Sequence, residues 1–100
     1  MKTILENGTI EYTNSKGQLH REDGPAIEYA NGDKEWYLNG QRHRLDGPAI
    51  EYADGDKMWF LNDQYHREDG PAIEWPSGIK HWFINGVEYS KTDFNKLIEE

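Results

Sequence analysis

The chain has 100 residues, a formal net charge of −8, no cysteine, and 13% aromatic against 35% hydrophobic residues. That length makes one domain, and the acidic balance opposes a nucleic-acid backbone or an anionic lipid surface while complementing a basic protein surface. Without cysteine there are no disulfides or thiolate metal sites.

The opening, MKTILENGTIEY, has no apolar run of signal-peptide length, and no stretch of the chain is apolar enough to span a bilayer. The expected location is the cytoplasm, or a host cell's cytoplasm. A mean hydropathy of −1.02 beside four Trp and six Tyr suits a thin β-structure whose few core positions hold large rings.

Residues 1–19 read as a degenerate N-terminal cap repeat. Lys16-Gly17-Gln18 stands 23 residues before Asn39-Gly40-Gln41, but Gly8 precedes Gly32 by 24, so the spacing slips by one. From His20 onward the phrase HREDGPAIEYANGDKEWYLNGQ is written almost three times, giving full repeats at 20–42, 43–65 and 66–88. Gly24, Gly47 and Gly70 mark the 23-residue period. Such a period signals stacked supersecondary units, none of which buries its apolar face alone.

Within a repeat, Pro25–Ala30 and Asp33–Leu38 are extended runs separated by Asn31-Gly32, whose counterparts are Asp54-Gly55 and Ser77-Gly78. Asn-Gly between two such runs predicts a β-hairpin with a two-residue type I′ turn. That turn sets Ile27 opposite Trp36. The core face is then Ile27, Tyr29, Trp36 and Leu38, with Ile50, Tyr52, Trp59 and Leu61 and with Ile73, Trp75, Trp82 and Ile84 in the following repeats. A second turn is expected at Asn39-Gly40, Asn62-Asp63 and Asn85-Gly86, and Asp-Gly-Pro opens the next strand.

The repeat pattern stops at 89–100, a helical cap. Ser90 is placed as an N-cap with Asp93 three residues on, and Phe94, Leu97 and Ile98 fall at helical spacing. The expected fold is therefore all-β: an elongated single-sheet stack of β-hairpin repeats, closed by a short helix over 91–98.

His20, His43 and His66 are each followed by Arg and, after one intervening residue, Asp. Equivalent histidines one repeat apart sit roughly 9–10 Å from each other, too far to share a zinc ion at roughly 2 Å per ligand. A structural ladder is expected instead, with Arg pairing with Asp and His packing on the neighbouring turn. No Ser/His/Asp or Cys/His set is present, and the glycines sit at turns rather than in a phosphate loop. No enzyme, cofactor or metal is expected.

On the face opposite the expected core, Glu28, Glu51 and Glu74 form a column of like charge flanked by Tyr37, Phe60 and Phe83. This is either a solvated face with incidental rings or a binding stripe of aromatic anchors among carboxylates, suited to a basic partner. Base stacking on the rings would need a basic groove around them, and this face is acidic.

The order Tyr/Phe-x-Asn-Gly-x-x-His, then Gly, then Glu-Tyr-Ala-x-Gly-Asp resembles the MORN (membrane occupation and recognition nexus) repeat, closely over 20–88 and loosely over 1–19. Where that family has Gly-x-Gly after the His, this chain has Arg-x-Asp-Gly-Pro-Ala, as in the bacterial and phage variant. The resemblance implies a row of stacked β-hairpins, with scaffolding or protein binding as the role. Short acidic proteins of this variety are also similar to phage or toxin-neutralising inhibitors. The functional expectation is a non-enzymatic protein-binding module, an acidic inhibitor of a nucleic-acid-handling or toxic protein, with no direct nucleic-acid or membrane contact. The competing expectation is an assembly scaffold that dimerises through its open sheet.

Overall fold

One turn chemistry occurs at four hairpins of the main sheet and sets its register. In the computed structural model, which describes residues 1–99, the Gly32 N–H donates to the Tyr29 carbonyl (3.0 Å) and the Tyr29 N–H donates to the Asp33 carbonyl (2.9 Å). Gly32 alone takes positive φ (99°). The same pair of bonds closes Leu5–Thr9, Tyr52–Asp56 and Trp75–Ile79 around Gly8, Gly55 and Gly78. This is a three-residue loop, a type I turn ending on a left-handed glycine, and not the two-residue type I′ turn expected from Asn-Gly.

The extra loop residue moves the second strand by one position, and a one-residue slip exchanges faces. Ile27 therefore stands opposite Glu35, not Trp36, and Ile50 stands opposite Met58. The expected core face is corrected accordingly.

The strands are short: β1 (Lys2–Ile4), β2 (Ile10–Tyr12), β3 (Ile27–Glu28), β4 (Lys34–Glu35), β5 (Tyr37–Leu38), β6 (Gln41–Arg42), β7 (Ile50–Glu51), β8 (Lys57–Met58), β9 (Phe60–Leu61), β10 (Gln64–Tyr65), β11 (Ile73–Glu74), β12 (Lys80–Ile84) and β13 (Val87–Tyr89). A nine-stranded open antiparallel sheet runs β1-β2-β3-β4-β7-β8-β11-β12-β13. Beside it, β5–β6 and β9–β10 form separate two-stranded ribbons, because the chain leaves the main sheet at Trp36 and Trp59. The molecule measures 46 × 29 × 17 Å, the elongated all-β stack the period implies.

The turns of the two ribbons, and the β12–β13 turn that is their counterpart in the last repeat and is counted with them, are the true two-residue ones. Asn39 and Gly40 have φ of 50° and 81°, Asn62 and Asp63 have 49° and 69°, and Asn85 and Gly86 have 49° and 82°. Positive φ at both central residues defines type I′. Each ribbon is hung on the preceding unit: the Gly40 N–H donates to Leu19, Asp63 to Arg42 and Gly86 to Tyr65.

The core runs along Ala49, Ile50, Met58, Phe60 and Ile73, with Trp36, Tyr52, Tyr65, Trp75 and Phe83 packed on it. Ala26, Ala49 and Ala72 have no exposed surface. Phe60 is 2% exposed, held between the Arg42 guanidinium (4.2 Å) and the Tyr65 ring (4.3 Å), which in turn meets Phe83 at 4.9 Å. The expectation that Phe60 points away from the core is thus overturned by the shifted register.

Helix α1 (Lys91–Glu99) forms where expected, and Ser90 caps it by accepting the Asp93 N–H at its Oγ (3.1 Å). Position 90 lies 23 residues after Arg67, so the helix begins where the next repeat's Arg would stand. It packs on β12 and β13 and buries Phe94, while Leu97 and Ile98 stay exposed. Glu100, the last residue of the expected cap, lies outside the described residues. No helix among the described residues is long and apolar enough to cross a membrane.

Candidate partner-binding face

The His-Arg-x-Asp-Gly-Pro loops line one long face, and each is organised by its arginine. Arg21, Arg44 and Arg67 donate from Nε to Asp23, Asp46 and Asp69 (2.9, 3.0 and 2.7 Å). From Nη1 they donate to the carbonyls of Pro25, Pro48 and Pro71 (3.2, 3.0 and 3.0 Å). Each guanidinium also covers the ring of the preceding unit: Arg21 over Tyr12 at 4.0 Å, Arg44 over Trp36 and Arg67 over Trp59, both at 3.9 Å. A planar, forked cation suits this combination of stacking and paired donation, and a lysine does not.

The histidines tie one unit to the next. Nδ1 of His20, His43 and His66 accepts the backbone N–H of Asn39, Asn62 and Asn85 (2.9, 3.1 and 2.9 Å). An accepting Nδ1 places the proton of the neutral ring on Nε2. The ladder expected from the sequence is present. The described residues hold no group of three or more His, Asp or Glu arranged for a metal ion.

The stripe expected from the sequence is not assembled as one exposed surface. Glu28, Glu51 and Glu74 lie half-buried beside Arg21, Arg44 and Arg67, at 3.7, 3.6 and 2.8 Å. Phe60 is in the core and Phe83 packs against it. Tyr37 is half-buried and donates its hydroxyl to Glu35 (2.8 Å); burial first, and then this bond to a carboxylate, hold its pKa well above the ordinary phenol value. Of the three rings only Phe60 is enclosed by its own chain, and Tyr37 and Phe83 are half-buried.

Between successive loops lie two grooves. The first, of about 570 Å3, runs between the Arg21–Gly24 and His43–Asp46 segments over a floor of Trp36 and Leu38. The second, of about 650 Å3, runs between Arg44–Pro48 and His66–Asp69 over Trp59 and Leu61. Their charge is layered. The side chains of Arg21, Arg44 and Arg67 are 21–24% exposed, whereas those of Asp23, Asp46 and Asp69 are 85–87% exposed. Glu22 and Glu68 are exposed on the same rims, 3.7 Å from His20 and His66. An incoming molecule meets carboxylates first, and beneath them the stacked guanidinium and indole groups with Leu38 or Leu61.

Comparison with family models, with curated proteins and with solved structures gives no match to this chain. The grooves escaped the sequence reading because they depend on the ribbons leaving the main sheet at Trp36 and Trp59. The available signal was the Trp that recurs 23 residues apart, one repeat position before each ribbon.

Proposed function

We propose that the protein is a non-enzymatic binding module that covers a basic surface of a partner protein with its loop face, as an acidic inhibitor of a nucleic-acid-handling or toxic protein. The observation that carries this reading is the charge layering of the two grooves. Cations are consumed inside by stacking and by proline carbonyls, and the exposed rim is anionic over an apolar floor. Such a surface attracts Lys and Arg side chains at long range and gives their alkyl stems apolar area at short range. The role also agrees with the protein-binding function implied by the MORN-type resemblance.

The test is binding of a partner captured from cell lysate, measured by calorimetry at low and high salt, for the parent and for Glu22→Lys/Glu68→Lys. Affinity should fall with salt in the parent and be largely lost in the variant. A partner indifferent to both changes would remove the reading.

Assembly is the second reading, favoured by one observation. Edge strand β1 ends on exposed Ile4 (66%) and is preceded by exposed Met1 (86%), and an uncovered apolar edge invites pairing. Sedimentation that shows concentration-dependent self-association with little response to salt would favour it.

A further inference from the structure

The three loops on this face are written alike except at one position. Glu22 and Glu68 hold the third place of the outer two, and Leu45 holds it in the middle one. Leu45 is 83% exposed. The neighbouring loops show that a carboxylate fits the same backbone, and the leucine gains almost no burial within its own chain. It also borders both grooves. The face therefore presents an apolar knob between two carboxylates, with Trp36 on one side of it and Trp59 on the other. Successive loops are two strand spacings apart, roughly 10 Å, so the flanking carboxylates are about 20 Å from each other.

We infer that Leu45 is the central anchor of the interface, and that the partner segment presents an apolar side chain bracketed by two Lys or Arg side chains about 10 Å to either side. This rests on the basic-partner reading above and adds what that reading leaves open, the centre of the footprint and its spacing. Interfaces concentrate their affinity in a few central apolar contacts, and flanking charges steer and orient the encounter. A polyproline II segment advances roughly 3.1 Å per residue with three residues per turn, so cationic residues six positions apart and an apolar one midway share one side of it and match the face.

The probe is a synthetic seven-residue peptide with arginine at both ends, leucine in the centre and serine elsewhere, titrated while the indole N–H signals are followed by NMR. The expected result is movement of the Trp36 and Trp59 signals, with those of Trp75 and Trp82, which line neither groove, unchanged. Replacing the central leucine of the peptide by serine, or Leu45→Glu in the protein, should each weaken binding by roughly five-fold or more, the scale of an anchor contact. Glu22→Gln/Glu68→Gln should weaken it at low salt and hardly at high salt. Leu45→Glu should leave the melting temperature unchanged, which separates lost binding from lost folding.

If the arginine peptide binds in a salt-dependent manner but Leu45→Glu binds it equally well, this inference falls and the basic-partner reading stands. If no arginine peptide binds up to millimolar concentration, or if the moving indoles are Trp75 and Trp82, both fall.

Discussion

The Arg44 guanidinium lies 3.9 Å above the Trp36 ring, and Gly47 is the residue that leaves room for it. A Cβ at position 47 would meet Arg44 Cζ at 2.9 Å. Gly24 and Gly70 stand in the same relation to Arg21 and Arg67, at 2.9 and 3.0 Å. None of these three glycines takes positive φ, so space rather than backbone conformation selects them. Arg44 is a flexible side chain, but it cannot retreat without giving up Asp46, the Pro48 carbonyl and the indole together.

Gly47→Ala should therefore cost roughly 1–3 kcal/mol, the sum of a stacked cation and one or two charge-assisted hydrogen bonds. In an Arg44→Lys background, where the fork is already gone, the same alanine should cost much less. A double-mutant cycle by urea denaturation measures that coupling. Additive costs would mean that the glycine serves something other than the arginine.

The histidine ladder carries a prediction of its own. The ring of His66 reaches 19 residues along the chain to accept the Asn85 N–H at 2.9 Å. His66→Phe keeps a ring but removes the acceptor, and should cost about 1 kcal/mol. The local signature should be faster hydrogen exchange at the Asn85 amide than at the equivalent Asn62 amide, which His43 still holds. Equal exchange at the two sites would show that the bond does not hold the ribbon.

Core position and ring size should rank the large residues. Phe60, in the central unit and 2% exposed, should lose roughly 3–5 kcal/mol on Phe60→Ala. Trp59→Ala should cost less, since that indole is half-buried and lines the second groove. Chemical denaturation of the two variants decides it. A larger loss at Trp59 would place the core on the face first expected from the sequence.

The cap should act through one residue. Phe94 is 4% exposed, whereas Leu97 and Ile98 are 40% and 43% exposed. Phe94→Ala should cost roughly 2–4 kcal/mol and detach the helix from β12 and β13. Leu97→Ser should stay within about 0.5 kcal/mol. Helical circular dichroism lost together with melting temperature in the first variant only is the expected pattern.

The repeat, the hairpins, the helix with its Ser90 cap and the Arg–Asp and His–turn ladder were all legible in the sequence, because each depends on residues close in the chain or one period apart. The register was not, and everything that depends on a face went with it. Asn31-Gly32 carries the type I′ signal, but its counterpart Ser77-Gly78 does not: serine is a poor residue for positive φ. In the structure, the side chains of Asn31, Asp54 and Ser77 accept the N–H two residues on (3.0, 3.0 and 3.5 Å). That local bond favours the three-residue loop, and a comparison of the three counterparts would have pointed to it. The grooves follow from the same correction, since the shifted register sends Phe60 inward and leaves Trp59 at the surface.

Asp63 permits a pH test of one inter-repeat contact. It holds the second position of a type I′ turn at φ 69°, where the other ribbons have Gly40 and Gly86. Its Oδ1 accepts from Arg42 Nε at 2.6 Å, and that bond is the main cause holding its carboxyl below the usual 3.8. A depressed folded pKa contributes stability that is present above the unfolded value and lost as pH falls through the folded one. Asparagine tolerates positive φ, as Asn39 and Asn85 show at 50° and 49° in the first position of the equivalent turns, so Asp63→Asn removes the charge with little added strain. Since the carboxylate side chain is 45% exposed, solvent screening limits the contribution to about 1 kcal/mol or less. The stability difference between parent and Asp63→Asn should therefore be full near neutral pH and shrink from about pH 4 downward. In an Arg42→Met background that pH-dependent difference should vanish. A difference that stays constant from neutral pH down to about pH 2, or that survives the loss of Arg42, would show that Asp63 acts through its turn and not through the ion pair.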